Sequence, residues 1–174
     1  MTRFDACLAV VLRFEGGYSD RAADRGGPTA CGITWRTYDA WRTRHALPTR
    51  PVRLITPEEV RAIYDEDYWR PVRGADLAEP LDLVMFDGAV NAGVVQAGRW
   101  LQRAVGVHVD GVIGPVTLAA VQARDAAELA GLVLDQRAAF YRGLAERDPT
   151  QGENLRGWLR RVDELRAACA ASAP

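Results

Sequence analysis

RFDACLAVVLRFEGGYSDRAADRGGPTACGIT, Arg3 to Thr34, is the stretch whose reading decides the fold. Its first half has a helical period. Phe4, Leu8, Val11, Leu12 and Phe14 fall on one face, which predicts a helix from Arg3 to about Phe14. Gly16-Gly17 should end it, because glycine enters the left-handed cap region without steric cost. In the second half, glycines and a proline break the period. A loop or a short hairpin is expected there, with TACGIT as the strand-like piece.

Working outward, the rest of the chain carries helix punctuation. Thr34 stands where an N-cap would open a helix at Trp35. The two prolines of ALPTRPVRL mark a linker. Thr56-Pro57-Glu58-Glu59 is a strong start, with Thr as cap, Pro at the first helical position and two acids at the positive end of the dipole. The helix it opens should reach about Trp69, before Pro71 stops it. Further helices are predicted over Leu81–Val90, Val95–Val105 (ended by Gly106), from Gly114-Pro115 onward, from an Asp125 cap to Arg147, and over Leu155–Ala171. Asp110-Gly111 reads as a tight turn. The expected fold is mainly α, with a small irregular or β lobe near residues 17–34.

Length and composition set the frame. A chain of 174 residues, 48% of them hydrophobic, is enough for one domain, or one core with a small appendage. Every cationic side chain is Arg, and the net charge of −1 gives no footprint for nucleic acid. Cys7, Cys31 and Cys169 show neither zinc spacing nor a disulfide framework and read as thiols of a reducing cytosol. The N-terminal stretch carries Asp5 and Arg13 and lacks a small-residue cleavage site, so no signal peptide is expected. No apolar run is long enough to span a membrane.

Glu15 is the first candidate for chemistry. A helix C-terminus carries about half a negative charge, so an acid there is disfavoured as the anion, and Phe14 and Tyr18 would desolvate it. A carboxyl kept protonated near neutral pH is what glycoside hydrolysis needs to donate to a leaving sugar oxygen. The competing reading is a solvated acid beside a cap. Asp20 and Asp24 both lie in the loop that follows; Asp24, just before Gly26-Gly27, equally suits a turn. Thr29 could hold a water or cap a turn. Asp87 and Asn91, four apart on an apolar helix, must be paired or face a cleft. They suit either a buried clamp on the glycine-rich loop or a wall that binds sugar hydroxyls, for which Asn91 has both donor and acceptor. In YDEDYW the acids read as a solvated face and the aromatics as core, with Trp69 the preferred sugar-stacking candidate. Trp35, Trp41, Trp100 and Trp158 read as core or interface. A thiol mechanism at Cys31 is rejected, because neither His45 nor His108 forms a pattern with it.

Four motifs in order, EGGYSD, DRGGPTACGIT, IYDEDYW and FDGAVNAG, resemble glycoside hydrolase family 108, the EGGY-type N-acetylmuramidases of phage endolysins and bacteria. WLQRAVGVHVDGVIGPVTLAAV resembles the predicted peptidoglycan-binding region that accompanies them. The resemblance implies a lysozyme-like fold in which residues 1–93 form the catalytic region and 94–174 the binding region, packed as one unit. It implies that Glu15 is the proton donor and that Asp24 and Thr29 position water as in phage lysozymes; Tyr18, Thr34, Trp69, Asp87 and Asn91 are the candidate substrate contacts. It implies peptidoglycan glycan strands as partner and needs no metal or organic cofactor. Nucleic acid and stable membrane insertion are not expected, and the enzyme should be a monomer. Made in the cytoplasm, it would reach the periplasmic wall through a holin or a dedicated exporter. The chain departs from the family pattern at Arg25, at Ala30-Cys31 and at Gly88. A lytic transglycosylase, another polysaccharide cleaver on the same scaffold and a non-catalytic wall-binding module are the rival readings.

Overall fold

The computed structural model describes residues 1–19 and 27–171. By internal contacts the chain divides into two compact units, Met1–Asp67 and Tyr68–Pro174.

In the first unit, α1 spans Arg3–Glu15. Thr2 caps it reciprocally with Asp5: the Thr2 hydroxyl accepts from the Asp5 amide, and the Asp5 carboxylate accepts from the Thr2 amide. The predicted stripe is the buried face, with Phe4, Leu8 and Val11 joined by Cys7. The helix ends at Gly16, though not in the left-handed helical cap that was expected. Gly16 has φ 70° and ψ −174°, a region that is essentially glycine's own.

Beyond Gly16, Ser19 exchanges both backbone hydrogen bonds with Thr29, at 2.9 and 2.8 Å. Strand β1, Thr29–Ala30, then pairs antiparallel with β2, Ile33–Thr34, in the register Thr29 to Thr34 and Ala30 to Ile33. The TACGIT strand piece is therefore a hairpin with a two-residue turn. Cys31 and Gly32 both have positive φ, 50° and 75°, the turn whose twist matches that of the flanking strands.

Helix α2, Trp35–Arg44, starts under the Thr34 cap, and α3, Pro57–Tyr64, under a complete Thr56/Glu59 capping box. Helix was expected to continue to Trp69. Instead the backbone widens into a π-helical turn over Asp65–Trp69. The acids of this turn are more than a solvated face. Glu66 accepts from the Trp41 indole at 3.0 Å and contacts His45 at 2.8 Å, and Asp67 pairs with Arg44 at 2.5 Å. A second polar cluster ties α2 to the start of α3. The Glu59 carboxylate receives Arg42, Arg50 and the Tyr38 hydroxyl, and Arg42 also donates to the Pro48 carbonyl at 2.6 Å.

The second unit is helical. It contains α4, Leu81–Ala92; α5, Val94–Val105; α6, Pro115–Gln122; α7, Ala126–Arg147; and α8, Gly152–Ala171. Leu81 through Ala89 of α4 are all buried, as suits a helix that is apolar on every side. Accordingly α4 packs on both α5 and α7, and α7 on α8. Gly88 fits here: a Cβ would already stand 3.4 Å from the Trp100 ring, and Trp100 takes the room a larger residue would fill. Asp125 caps α7 and Gly106 closes α5 in the left-handed conformation, both as predicted. Buried Gln102 holds the Asp110-Gly111 turn, donating to Asp110 and Val112 and accepting from the Gly111 amide at 2.7 Å.

Candidate active site

Glu15 is the last residue of α1 and is half-buried, with Oε1 shielded from solvent. The hairpin turn lies against its carboxylate. A Cβ placed on Gly32 would stand 2.6 Å from Glu15 Oε2 and 3.0 Å from Glu15 Cβ. Only a residue without a side chain lets the turn come this close, and only glycine accepts φ 75° there without strain.

Tyr64 holds the turn in place. Its side chain is 1% exposed, and its hydroxyl donates to the Cys31 carbonyl at 2.8 Å. The same hydroxyl would stand 2.9 Å from a Cβ on Gly32. Glu15, the Cys31-Gly32 turn and Tyr64 thus form one packed group, drawn from the end of α1, the hairpin and the end of α3. Cys31 contributes its backbone to this group, which gives the Ala30-Cys31 departure a structural setting: Ala30 is buried in β1, and Cys31 forms the turn.

Thr29 opens the hairpin that carries this turn. Its backbone bonds to Ser19 on one side and it pairs with Thr34 on the other, so its Cα is fixed in the middle of the small sheet. Tyr18, next to Ser19, is 51% exposed. The Thr34 hydroxyl accepts from the Thr37 amide at 3.2 Å and bonds the Thr37 hydroxyl at 3.0 Å, so it caps α2. Asp20 and Asp24 lie outside the described residues.

Three of the sequence candidates are in the second unit. Asp87 is fully buried and forms the hub of a charge cluster. Arg137 donates to it at 2.7 Å, and Arg161 grips both its oxygens at 2.8 to 3.0 Å. Asn91 Oδ1 accepts from Arg137 at 3.1 Å and from the Tyr141 hydroxyl. The expected shared face is present, and of the two readings offered for the pair the geometry is that of a clamp. What it holds differs from expectation: the partners are arginines of α7 and α8, not the glycine-rich loop. A sugar-binding Asp87 would need its carboxylate exposed, and both its oxygens are occupied by guanidinium groups. Trp69 is 6% exposed, meets Phe86 edge-on at 5.5 Å and has buried Gly74 against its ring, which is a core position rather than an open stacking platform.

Two members of the Glu15 group had no sequence signal of their own. Gly32 read only as strand or turn, and Tyr64 only as core. For Gly32 the available hint was a glycine between two strand-like dipeptides, which marks a turn but not its contact with Glu15.

The family model described as Glycosyl hydrolase 108 matches residues 8–93, and that described as Predicted Peptidoglycan domain matches residues 96–163. A solved structure, that of Brucella abortus SagA, is 36% identical over 97% of this chain and 94% of the other, with a TM-score of 0.82. No curated protein matches by sequence. The fold class is mainly α and lysozyme-like, as expected from the sequence.

Proposed function

From the premise that the chain belongs to the glycosyl hydrolase 108 family and is, in general terms, a peptidoglycan hydrolase, we propose that it is an N-acetylmuramidase with Glu15 as general acid. The bond cleaved is the β-1,4 link between N-acetylmuramic acid and N-acetylglucosamine. The observation that carries this reading is the packing of the Gly32 turn against the Glu15 carboxylate at the end of α1.

In this mechanism Glu15 gives its proton to the glycosidic oxygen as the bond to the anomeric carbon breaks. Positive charge builds on the sugar ring, water attacks that carbon, and the water's proton leaves to a carboxylate. Asp24 orients or activates that water, or stabilises the charged ring. The Thr29 hydroxyl holds the water; what supports this is that its main chain is tied to Ser19 within the small sheet. Tyr18, exposed three residues beyond Glu15, is the contact we assign to the substrate. The enzyme acts on the wall as a monomer, after release through a holin or a dedicated exporter.

Digestion of purified peptidoglycan by the wild type and by Glu15→Gln, with mass analysis of the fragments, tests the reading. Hydrolysis leaves reducing N-acetylmuramic acid ends, and Glu15→Gln should lose them. Ends of the 1,6-anhydro type would mean a lytic transglycosylase. Equal digestion by both proteins would remove Glu15 from the mechanism, and no digestion by either would mean a wall-binding module.

A further inference from the structure

Of the tryptophans, Trp41, Trp69 and Trp100 are buried, whereas Trp35 is 43% exposed. Its indole forms one wall of a pocket of about 360 Å³, lined also by Asp39, Thr49, Arg50, Pro51 and Val52. Read from its neighbours in the chain, Trp35 had no role beyond core or interface.

The pocket is built from parts that are held in place. The Trp35 amide donates to the Pro28 carbonyl at 3.0 Å. Gly27 lies at the edge of the ring, where a Cβ would stand 2.8 Å from Nε1. The Arg36 guanidinium stands over the ring, 5.3 Å from its centre. Arg50, also in the lining, is fixed by the Tyr38 hydroxyl at 2.6 and 2.9 Å and by Glu59. Asp39, one turn along α2 from Trp35, supplies a carboxylate, and Thr49 a hydroxyl.

An aromatic wall with a few converging polar groups is the chemistry of a ligand site. Here the set suits an N-acetylated sugar. The C–H face of a sugar ring would lie on the indole, and its hydroxyl and amide groups would bond to Asp39 and Thr49. The position also fits. Trp35 is three residues beyond Gly32, whose turn packs on Glu15, and three residues of chain span at most about 11 Å.

We infer that the Trp35 pocket is a glycan subsite outside the cleavage position, holding a sugar of the same strand that Glu15 cleaves. The inference rests on the muramidase reading. Binding is therefore measured without turnover, in the Glu15→Gln background, by calorimetric titration with peptide-free glycan strands. Trp35→Ala in that background should raise the Kd about five- to tenfold, and Trp35→Tyr, which keeps a stacking face, should recover most of it. Circular dichroism checks that both variants fold. An unchanged Kd for Trp35→Ala overturns the subsite, as does a parent protein that binds no glycan strand. Binding of sugar-free stem peptides that weakens with Trp35→Ala would overturn the assignment to glycan. Failure of the muramidase reading shows separately, as wall digestion by Glu15→Gln.

Discussion

Gly32→Ala perturbs the candidate site at a single point, and its cost divides into two parts. The first is backbone. At φ 75° an L-residue pays about 1–2 kcal/mol, which for a chain of this size lowers the melting temperature by roughly 2–8 °C. The second is contact. Ordinary van der Waals separation begins near 3.4 Å and the new Cβ would stand 2.6 Å from Glu15 Oε2. The carboxylate must therefore retreat by about 0.8 Å, and displacements near 1 Å can lower a rate about 100-fold. Gly106→Ala isolates the first part. Gly106 has the same φ of 75°, closes α5, and has open space where its Cβ would go. The assay is release of reducing ends from peptidoglycan, with thermal denaturation alongside. Gly32→Ala should melt below Gly106→Ala, because it adds the contact cost to the backbone cost, and it alone should lose most of its activity. If Gly32→Ala keeps wild-type activity and melts like Gly106→Ala, the turn does not position Glu15 and the reasoning fails.

Asp87→Ala should cost about 3–5 kcal/mol in urea unfolding, because it leaves fully buried Arg137 without its carboxylate. Asp87→Asn, which keeps an acceptor, should recover part of that, and a loss below 1 kcal/mol would mean that the clamp carries little stability. The Glu59 cluster predicts an acid limb. Burial raises the pKa of Glu59, but the Thr56 amide, the Tyr38 hydroxyl, Arg50 and Arg42 together bring it below the ordinary value of 4.5. The folded state therefore favours the anion, so this stability is complete above 4.5 and is lost as pH falls through the lower folded value. Melting temperatures from pH 6 down to 3 should fall more steeply for the wild type than for Glu59→Gln, and parallel curves would contradict the assignment.

The sequence was most legible where structure depends on neighbours in the chain. Thr56 with Glu59, Asp125 before α7 and Gly106 after α5 act within one helical turn, and each stands where the residues placed it. The end of α1 at Glu15 and the strand character of TACGIT have the same local origin. The backbone at Gly16 departed from expectation because glycine permits several cap conformations, and the chain beyond it goes on to bridge from Ser19 to Thr29.

Partners far apart in sequence leave no local trace. Asp87 and Asn91 could be read as two polar groups sharing a face, which established that they needed a partner but not which one. The answer lies 50 and 74 residues away, in Arg137 and Arg161. Tyr64 looked like any apolar-face aromatic, and its function in the candidate site rests on one hydroxyl reaching a carbonyl 33 residues back. The same asymmetry explains how the candidate site is built. Its acid is announced by helix grammar, and its supports are fixed only by tertiary packing. A substitution at Gly32 or Tyr64 can therefore disturb the chemistry while leaving the sequence signature EGGY intact, and retention of that motif alone is no measure of a working site.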